Sequence, residues 1–286
     1  MDQRVTIVTD STADIPRELR ERLQIEMVPL KVHFGNEVFL DGVTIEPDAF
    51  YTRLAASSAL PTTSQPSPAE FVEAYERILR ERPGTAIVSY HLSSAFSGTY
   101  QSAVLAQSLM EQDADLTIVD TKSASYGFGQ LVVLAAEMAQ AGSTREQIIA
   151  ATEQLHEQQR LYFLVDTLEY LQKGGRIGKA SALLGTILNI KPILTIDGEG
   201  VVAPVDKVRG TKKAMQRIVD LLRRDFAAEE PVRAVYAYSQ SRGAATQLDA
   251  LIGSHFNVQE TIYTELGAVI GTHVGPGTAA IFMSRM

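Results

Sequence analysis

The chain has 286 residues, a length that suits one large domain or two ordinary ones. Its composition, with 45% hydrophobic and 21% charged residues, excludes disordered, collagen-like and low-complexity proteins. The net charge of −8 disfavours broad binding to nucleic-acid phosphates, and the absence of cysteine excludes disulfides, thiolate catalysis and cysteine-ligated metals.

The first half of the chain alternates strand-like and helix-like patterns. The predicted strands are Val5–Thr9, Ala86–Tyr90 and Leu116–Val119, with a hairpin of Lys31–Phe34 and Val38–Leu40 around Gly35-Asn36. The predicted helices are Ala69–Arg82, Gly98–Met110, Ser125–Ala141 and Ser143–Gln158. Strands separated by helices predict a mostly parallel sheet with right-handed crossovers.

Local signals refine two of these helices and predict the start of a further helix near Asp14. Asp14 ahead of Pro16 is typical of a helix N-cap, and Ser143 with Glu146 predicts a capping box. In the predicted helix Gly98–Met110, three apolar residues recur in phase and indicate a packed face. They are Val104, Leu105 and Leu109.

The second half predicts a mixed sheet with helices. The predicted strands are Tyr162–Val165, Pro192–Ile196, Val201–Val205, Val232–Tyr238, Phe256–Tyr263 and Ala279–Met283, with helices at Thr211–Phe226 and Gly243–Gly253. The turn at residues 198–200 makes one strand pair antiparallel. The polar stretch before Arg160 favours two α/β domains, residues 1–158 and 159–286.

Most standard signatures of enzymes and cofactor sites fail. The glycine-rich stretch from Gly174 lacks the spacing of a phosphate loop, and Gly198–Ala203 lies between strands, where a dinucleotide fingerprint would have to open a helix. The five histidines have no metal-binding spacing, so we expect neither a metal nor a cofactor. Without a signal peptide or an apolar run of about 18 residues, we expect a soluble, cytoplasmic protein without stable membrane insertion.

Three segments outside the predicted elements carry an unusual set of polar residues. They are Pro61–Pro68, His91–Tyr100 and Gly267–Gly277, and together they supply hydroxyls, histidines and glycines but no acidic side chain. The second follows a predicted strand, and open α/β sheets bind ligands at the carboxyl ends of their strands. This composition suits a neutral or anionic oxygen ligand. The alternative is that the hydroxyls cap helices and the glycines form turns.

Basic residues are concentrated in two runs without an acid, Lys173–Lys191 and Lys207–Arg217. These runs indicate either a solvated surface or a docking surface for an acidic or phosphate-bearing partner.

Five motifs, in order along the chain, resemble the DegV family. They are Val8–Asp14 (VTDSTAD), Thr63–Ser67 (TSQPS), Leu92–Tyr100 (LSSAFSGTY), Lys173–Ile177 (KGGRI) and Gly271–Gly277 (GTHVGPG). The resemblance implies a two-domain α/β protein that binds a long-chain fatty acid, such as palmitate, between its domains. It also implies the binding subunit of a bacterial fatty acid kinase. A catalytic partner would use ATP to phosphorylate the carboxylate, for phospholipid synthesis.

The resemblance also assigns residues. Thr62 or Thr63, together with Ser93 or Ser94, would hold the fatty-acid carboxylate, and His273 would support that hydrogen-bond network. Hydroxyl donors suit a carboxylate that leaves water, because an unpaired charge is costly there.

Arg176, between glycines and without a nearby acid in the sequence, would lie on the kinase-facing surface. The protein itself would have no catalytic residue. The alternative is a serine-dependent hydrolase or acyltransferase that acts on an acyl substrate with Ser93 or Ser94 and His273, although nothing in the sequence indicates the third residue of a triad.

Overall fold

The computed structural model describes residues 4–111, 114–185 and 190–286. The strands are β1 (Val5–Asp10), β2 (Glu26–Val28), β3 (Lys31–Phe34), β4 (Glu37–Leu40), β5 (Thr62–Ser64), β6 (Ala86–His91), β7 (Leu116–Asp120), β8 (Arg160–Leu164), β9 (Ile190–Ile196), β10 (Val202–Arg209), β11 (Pro231–Tyr238), β12 (Asn257–Glu265) and β13 (Ala279–Arg285). The helices are α1 (Arg17–Arg22), α2 (Pro47–Ala56), α3 (Pro68–Glu81), α4 (Thr99–Leu109), α5 (Tyr126–Gln140), α6 (Arg145–Gln158), α7 (Glu169–Lys173), α8 (Thr211–Leu222), α9 (Gly243–Gly253) and α10 (Ala268–Val274). Two short 3₁₀ turns lie at Ser11–Ala13 and Gly178–Leu183.

A four-stranded parallel sheet forms the first layer, in the order β2-β1-β6-β7. One face packs on α3 and α4 through a cluster that includes Phe71, Tyr75 and Ala103. The other face packs on α5 and α6 through a cluster that includes Phe128 and Ile148. Because apolar side chains cover both faces, the central strands β1 and β6 are buried throughout most of their length, as is usual in parallel sheets.

A small antiparallel sheet, β4-β3-β5, lies outside this layer. The hairpin between β3 and β4 is confirmed, and Phe34 pairs with Glu37 across a turn in which Gly35 has a φ of 60°. Strand β5, which was expected to be loop, pairs with β3 and brings Thr63 opposite Val32.

A six-stranded mixed sheet, β10-β9-β8-β13-β11-β12, follows residue 159. Only β11 and β12 pair in parallel, and the other neighbours are antiparallel. Helices α8 and α9 cover one face, and the opposite face packs toward α5, α7 and α10. The predicted α/β class, with a parallel sheet first and a mixed sheet second, is confirmed. The domain boundary after Gln158 stays a prediction, and the change of sheet between α6 and β8 supports it.

Two predictions of helix caps were wrong. Asp14 does not cap α1, whose N-cap is Pro16; it ends the 3₁₀ turn in a left-handed conformation with a φ of 49°. The capping box of α6 uses Thr144 and Gln147. Residue 143 belongs to the turn that ends α5, since its N–H bonds to the carbonyl of residue 138.

The packed face of α4 was also predicted wrongly. Val104, Leu105 and Leu109 are exposed. Small side chains on the other face, at Ala103 and Ala106, allow α4 to pack against the buried aromatic side chains of α3.

Candidate functional site

A cavity lies between the inner face of the mixed sheet and the elements that precede it. Its apolar lining is drawn from several parts of the chain: Leu30, Leu92, Phe96, Ala124, Leu161, Phe163, Leu171, Ile196, Val202, Leu266, Val269, Ile270, Val274, Ala280 and Phe282. Its polar lining consists of Thr63, Ser64, Gln65, Ser97, Ser125, Arg176, His273 and Thr278. The cavity thus joins a large hydrocarbon surface to a small set of hydrogen-bonding groups, which is the usual arrangement of a small-molecule site.

Strand β5 and helix α10 bring two of the polar residues together. The Thr63 Oγ1 and the His273 Nε2 are 2.8 Å apart, although the residues are separated by 210 positions in the sequence. His273 lies near the end of α10, and its Nδ1 is buried without a hydrogen-bond partner among the described residues. The imidazole packs over Gly174, where a Cβ atom would overlap its Nδ1.

Arg176 fixes the next part of the site. Its Nε donates to the carbonyl of Phe96 at 3.0 Å, and its Nη1 donates to the carbonyl of Gly174 at 2.7 Å. These bonds hold the guanidinium beside the cavity and leave Nη2 without a hydrogen bond among the described residues. Among the residues that the structure describes, Arg176 is the one arginine or lysine in the lining, and no aspartate or glutamate lines the cavity.

Ser97 and Gln65 complete the polar cluster. Ser97 lies next to Phe96 and precedes the start of α4, where its Oγ accepts from the Thr99 N–H at 3.3 Å. The Gln65 amide lies directly over Gly98. Contacts therefore connect Thr63, His273, Gly174, Arg176, Phe96, Ser97, Gly98 and Gln65, and we call the side chains of Thr63, Gln65, Ser97, Arg176 and His273 the donor cluster.

The donor cluster is suited to an anion. Burial, and then the positive charge of Arg176, lower the pKa of His273 to about 4, so the imidazole is neutral at physiological pH. A neutral imidazole, two hydroxyls, an amide and a guanidinium offer several N–H and O–H donors with one positive charge. A carboxylate placed among them would receive charge-assisted hydrogen bonds.

The structure does not bring the other sequence-predicted residues to the cavity. Thr62, at the start of β5, is exposed and does not line the cavity. Ser93 is buried and donates to the carbonyl of Gly200 at 2.8 Å. Ser94 donates to the Asp120 Oδ2 at 2.5 Å.

Sequence reasoning missed the position of Ser97 in the lining. It lies in the same hydroxyl-rich segment as Ser93 and Ser94, and its place just before α4 favoured a capping role. The hydroxyl-rich composition of the segment therefore indicated a site, but it could not show which of the serines faces the cavity.

The basic runs are less free than the sequence indicated. Lys173 pairs with Glu169, Lys179 with Asp197 and Glu199, and Lys191 with Asp166. In the second run, Lys207, Arg209, Lys212 and Lys213 are exposed and have no salt bridge with any acid in the described parts of the chain. We call these four residues the basic ridge.

A buried Asp–His–Ser arrangement lies away from the cavity. His91 places its Nδ1 3.0 Å from the Asp10 Oδ2 and its Nε2 2.8 Å from the Ser89 Oγ. All three side chains are inaccessible to solvent, and Tyr75 donates to Ser89. The arrangement therefore has no room for a substrate and holds β1 against β6.

The described ranges contain neither a metal-binding cluster nor a membrane-spanning helix. No group of three or more histidine, cysteine or acidic side chains there is arranged to hold a metal ion. None of the helices described is long and apolar enough to cross a bilayer.

The comparison with known families is decisive. The model of the DegV family, described as uncharacterised proteins, matches residues 4–285. This chain belongs to the DegV family. Protein DegV of Bacillus subtilis is 37% identical over 278 residues, which are 97% of this chain and 98% of that protein.

Solved structures of the family show the same fold. A DegV family protein from Thermus thermophilus, described for its fatty acid binding, has a TM-score of 0.91 and 39% identity, with 99% of this chain and all of that chain covered. A stearic acid-binding protein from Eubacterium ventriosum has a TM-score of 0.88 and 26% identity, with 98% of both chains covered. Members of this family thus bind fatty acids as ligands.

Proposed function

We propose that this protein binds one long-chain fatty acid non-covalently, with the alkyl chain in the apolar cavity and the carboxylate at the donor cluster. The observation that carries this proposal is the contrast within one cavity. Most of its lining is apolar side chains. The hydrogen-bonding groups that the structure describes there include the Arg176 guanidinium and no carboxylate. The fatty-acid binding of the Thermus thermophilus relative supports the same ligand class.

The energetics divide between the two parts of the ligand. Burial of each CH₂ group contributes about 0.8 kcal/mol, so the alkyl chain supplies most of the affinity. The donor cluster offsets the cost of removing the carboxylate from water and fixes its orientation. Thr63, His273 and Arg176 are the direct contacts in this proposal, and Ser97 takes the place expected for Ser93 or Ser94.

The geometry disfavours the alternative of a serine-dependent hydrolase or acyltransferase. The hydroxyls of Ser93 and Ser94 donate to Gly200 and Asp120, and neither bonds to His273. The Nε2 of His273 faces Thr63 instead, so the hydrogen bond between nucleophile and base that acyl transfer requires is not formed.

The proposal extends to a partner. We infer that the bound carboxylate is presented to the catalytic subunit of a cytoplasmic fatty acid kinase, which forms an acyl phosphate for phospholipid synthesis. The half-buried Thr63, Arg176 and His273 leave the carboxylate end close to the surface. The basic ridge offers unpaired positive charge to an acidic partner. The docking role first predicted for Arg176 is secondary here, because that residue is committed to the cavity.

Native mass spectrometry of the purified protein tests the ligand. The expected result is an added mass of a C14–C18 fatty acid that disappears on denaturation. A protein without lipid that also fails to bind added oleic acid would contradict the proposal, and an acyl group that survives denaturation would favour the hydrolase or acyltransferase.

The partner is tested by acyl-phosphate formation with ATP and the kinase subunit. Reversal of two ridge charges, Lys212→Glu with Lys213→Glu, should lower turnover while leaving oleic acid affinity unchanged. Lys173→Glu, which changes an exposed lysine outside the ridge, is the control. Equal turnover in the ridge variant and the control would contradict docking at the ridge.

A further inference from the structure

Two buried carboxylates lie outside the fatty-acid cavity and contact the helix that carries His273. Asp14 belongs to the VTDSTAD segment and is 8% exposed, and Asp41 follows β4 and is 2% exposed. Aspartates are rarely buried unless they are paired or hydrogen-bonded. No arginine, lysine or histidine among the described residues forms a salt bridge with either of them. Each instead accepts a backbone N–H, and the Asp41 Oδ2 is buried without a hydrogen-bond partner in the described parts of the chain.

These N–H groups are at the start of α10. The Gly267 N–H donates to the Asp14 Oδ1 at 2.9 Å, and the Ala268 N–H donates to the Asp41 Oδ1 at 2.9 Å. Asp14 also accepts from the Ser125 hydroxyl at 2.5 Å. The first N–H groups of a helix have no partner within the helix. Here the two carboxylates accept them, as the side chain of an N-cap residue usually does, although both lie far away in the sequence.

The same segment is held at two further points. The Thr264 hydroxyl donates to the backbone carbonyl of Asp14 at 2.6 Å, and the Tyr51 hydroxyl donates to the carbonyl of Leu266 at 3.0 Å. Residues 264–268 are therefore fixed to the N-terminal half of the protein by both side-chain and backbone groups.

Helix α10 transmits this position to the cavity. It has seven residues and no side-chain cap of its own, and a helix of this length is not stable in isolation. Its N-terminus meets Asp14 and Asp41, its middle lines the cavity with Val269 and Ile270, and its C-terminal turn carries His273. About one and a half turns of α10 thus separate the two carboxylates from the His273 imidazole.

We infer that Asp14 and Asp41 are positioning residues: by accepting the first N–H groups of α10, they set the place of His273 in the donor cluster. Asp10 of the same segment contrasts with them. It accepts from Thr12, His91 and Leu92 and makes no bond to α10. The effect on lipid binding rests on the proposed function, whereas the position of His273 can be measured without lipid.

The test compares Asp14→Ala and Asp41→Ala with Asp14→Asn and Asp41→Asn. Alanine removes the acceptor, whereas asparagine keeps an oxygen that can accept the N–H. Side-chain ¹H–¹⁵N NMR of the histidines, with His273 assigned by His273→Gln, follows the imidazole directly. In the alanine variants we expect a displaced His273 signal, a pKa that moves from about 4 toward the ordinary value, and oleic acid affinity lowered about tenfold, the equivalent of one charged hydrogen bond. The asparagine variants should restore the wild-type signal.

Gly267→Ala is a second route to the same displacement. A Cβ at this position would lie 2.8 Å from the Asp14 Oδ1 and 3.2 Å from the Asp41 Oδ1, so it forces the carboxylates from the helix without removing either one. This variant decides the question if the alanine variants at 14 and 41 do not fold. Asp206→Ala is the control, because Asp206, on β10, accepts the Lys207 backbone N–H and the Arg217 Nε–H and makes no bond to α10.

The outcomes separate the two proposals. A displaced His273 signal in protein that never binds oleic acid would support the positioning role and contradict the proposed function. Wild-type protein that binds oleic acid, with an unchanged His273 signal in folded Gly267→Ala and in the folded alanine variants, would overturn the positioning role alone. A signal that moves equally in Asp206→Ala would also overturn it.

Discussion

Helix α10 joins two polar regions of opposite character. At its C-terminal turn, the donor cluster faces an apolar cavity and is half-buried except for the exposed Gln65. It keeps hydrogen-bonding capacity at Arg176 Nη2 and His273. At its N-terminus, Asp14 and Asp41 are buried and accept hydrogen bonds from the protein itself. The difference indicates that the first region is built to receive an anion and the second to hold the chain.

The largest expected effect is a pH dependence of the free energy of unfolding that arises from Asp41. Burial raises the pKa of Asp41 to about 7, and the negative charge of the neighbouring Asp10 adds to the rise. The native state therefore binds more protons than the unfolded state between about pH 4 and 7, so this group lowers stability as pH rises through that range. Each unit of pKa shift corresponds to about 1.4 kcal/mol.

Asp41→Asn removes this titration. We expect the free energy of urea unfolding of the variant, relative to wild type, to increase from pH 4 to pH 7 and then to level off. The relative measurement is needed because the lowered pKa of His273 acts in the opposite direction between about pH 4 and 6.5. A relative stability that does not change with pH would show that Asp41 titrates normally.

The next largest effect concerns the charge of the donor cluster. Arg176→Ala should weaken oleic acid binding by about 1.5–3 kcal/mol, the value of a hydrogen bond to a charged group, and Arg176→Lys should restore only part of it. Isothermal titration calorimetry measures the change. Lys173→Ala, three residues earlier and paired with Glu169 on the surface, is the control and should bind normally. Wild-type affinity in Arg176→Ala would place the carboxylate elsewhere.

A smaller effect is expected from steric displacement of the imidazole. Gly174 has an ordinary φ of −74°, so alanine there is strained only by contact with His273 and with the Tyr170 carbonyl at 3.0 Å. Gly174→Ala should shift the His273 NMR signal and lower oleic acid affinity by several-fold, because it shifts the imidazole without removing it. Gly253→Ala, where a Cβ meets no atom within 4 Å, should do neither. An unchanged His273 signal in Gly174→Ala would show that the alanine methyl group fits without displacing the imidazole.

The smallest effect distinguishes two serines of one segment. Ser97→Ala should lower affinity by about 1 kcal/mol, because it removes a hydroxyl from the lining. Ser94→Ala removes a hydroxyl that bonds to Asp120 and should leave affinity unchanged. The reverse result would restore the assignment that the family resemblance implied.

Much of the fold was predictable because its strands and long helices carry periodic signals. Helix α9 was predicted with its observed bounds, and the antiparallel entry at residues 198–200 was confirmed. Helix α10 was missed, since it is short, contains Gly271 and has no capping side chain nearby in sequence. Its caps come from residues 253 and 227 positions away, which no local pattern can reveal.

The site was less predictable for the same reason. The sequence indicated hydroxyls and a histidine, and the structure brings Thr63 and His273 into contact. Arg176 seemed free because its own neighbours are glycines, yet its partner carbonyl at Phe96 lies 80 positions earlier. Lysines without acids nearby in sequence were likewise paired with acids from elsewhere, as Lys179 is with Asp197.

A crystal structure of the protein with oleic acid tests the central claim most directly, because it measures where the carboxylate lies. We predict carboxylate oxygens within about 3.2 Å of the Thr63 hydroxyl and of Arg176 or His273, with the alkyl chain along the apolar lining. A carboxylate beside Ser125 or Thr278, which also line the cavity, or a lipid outside the cavity, would contradict the account.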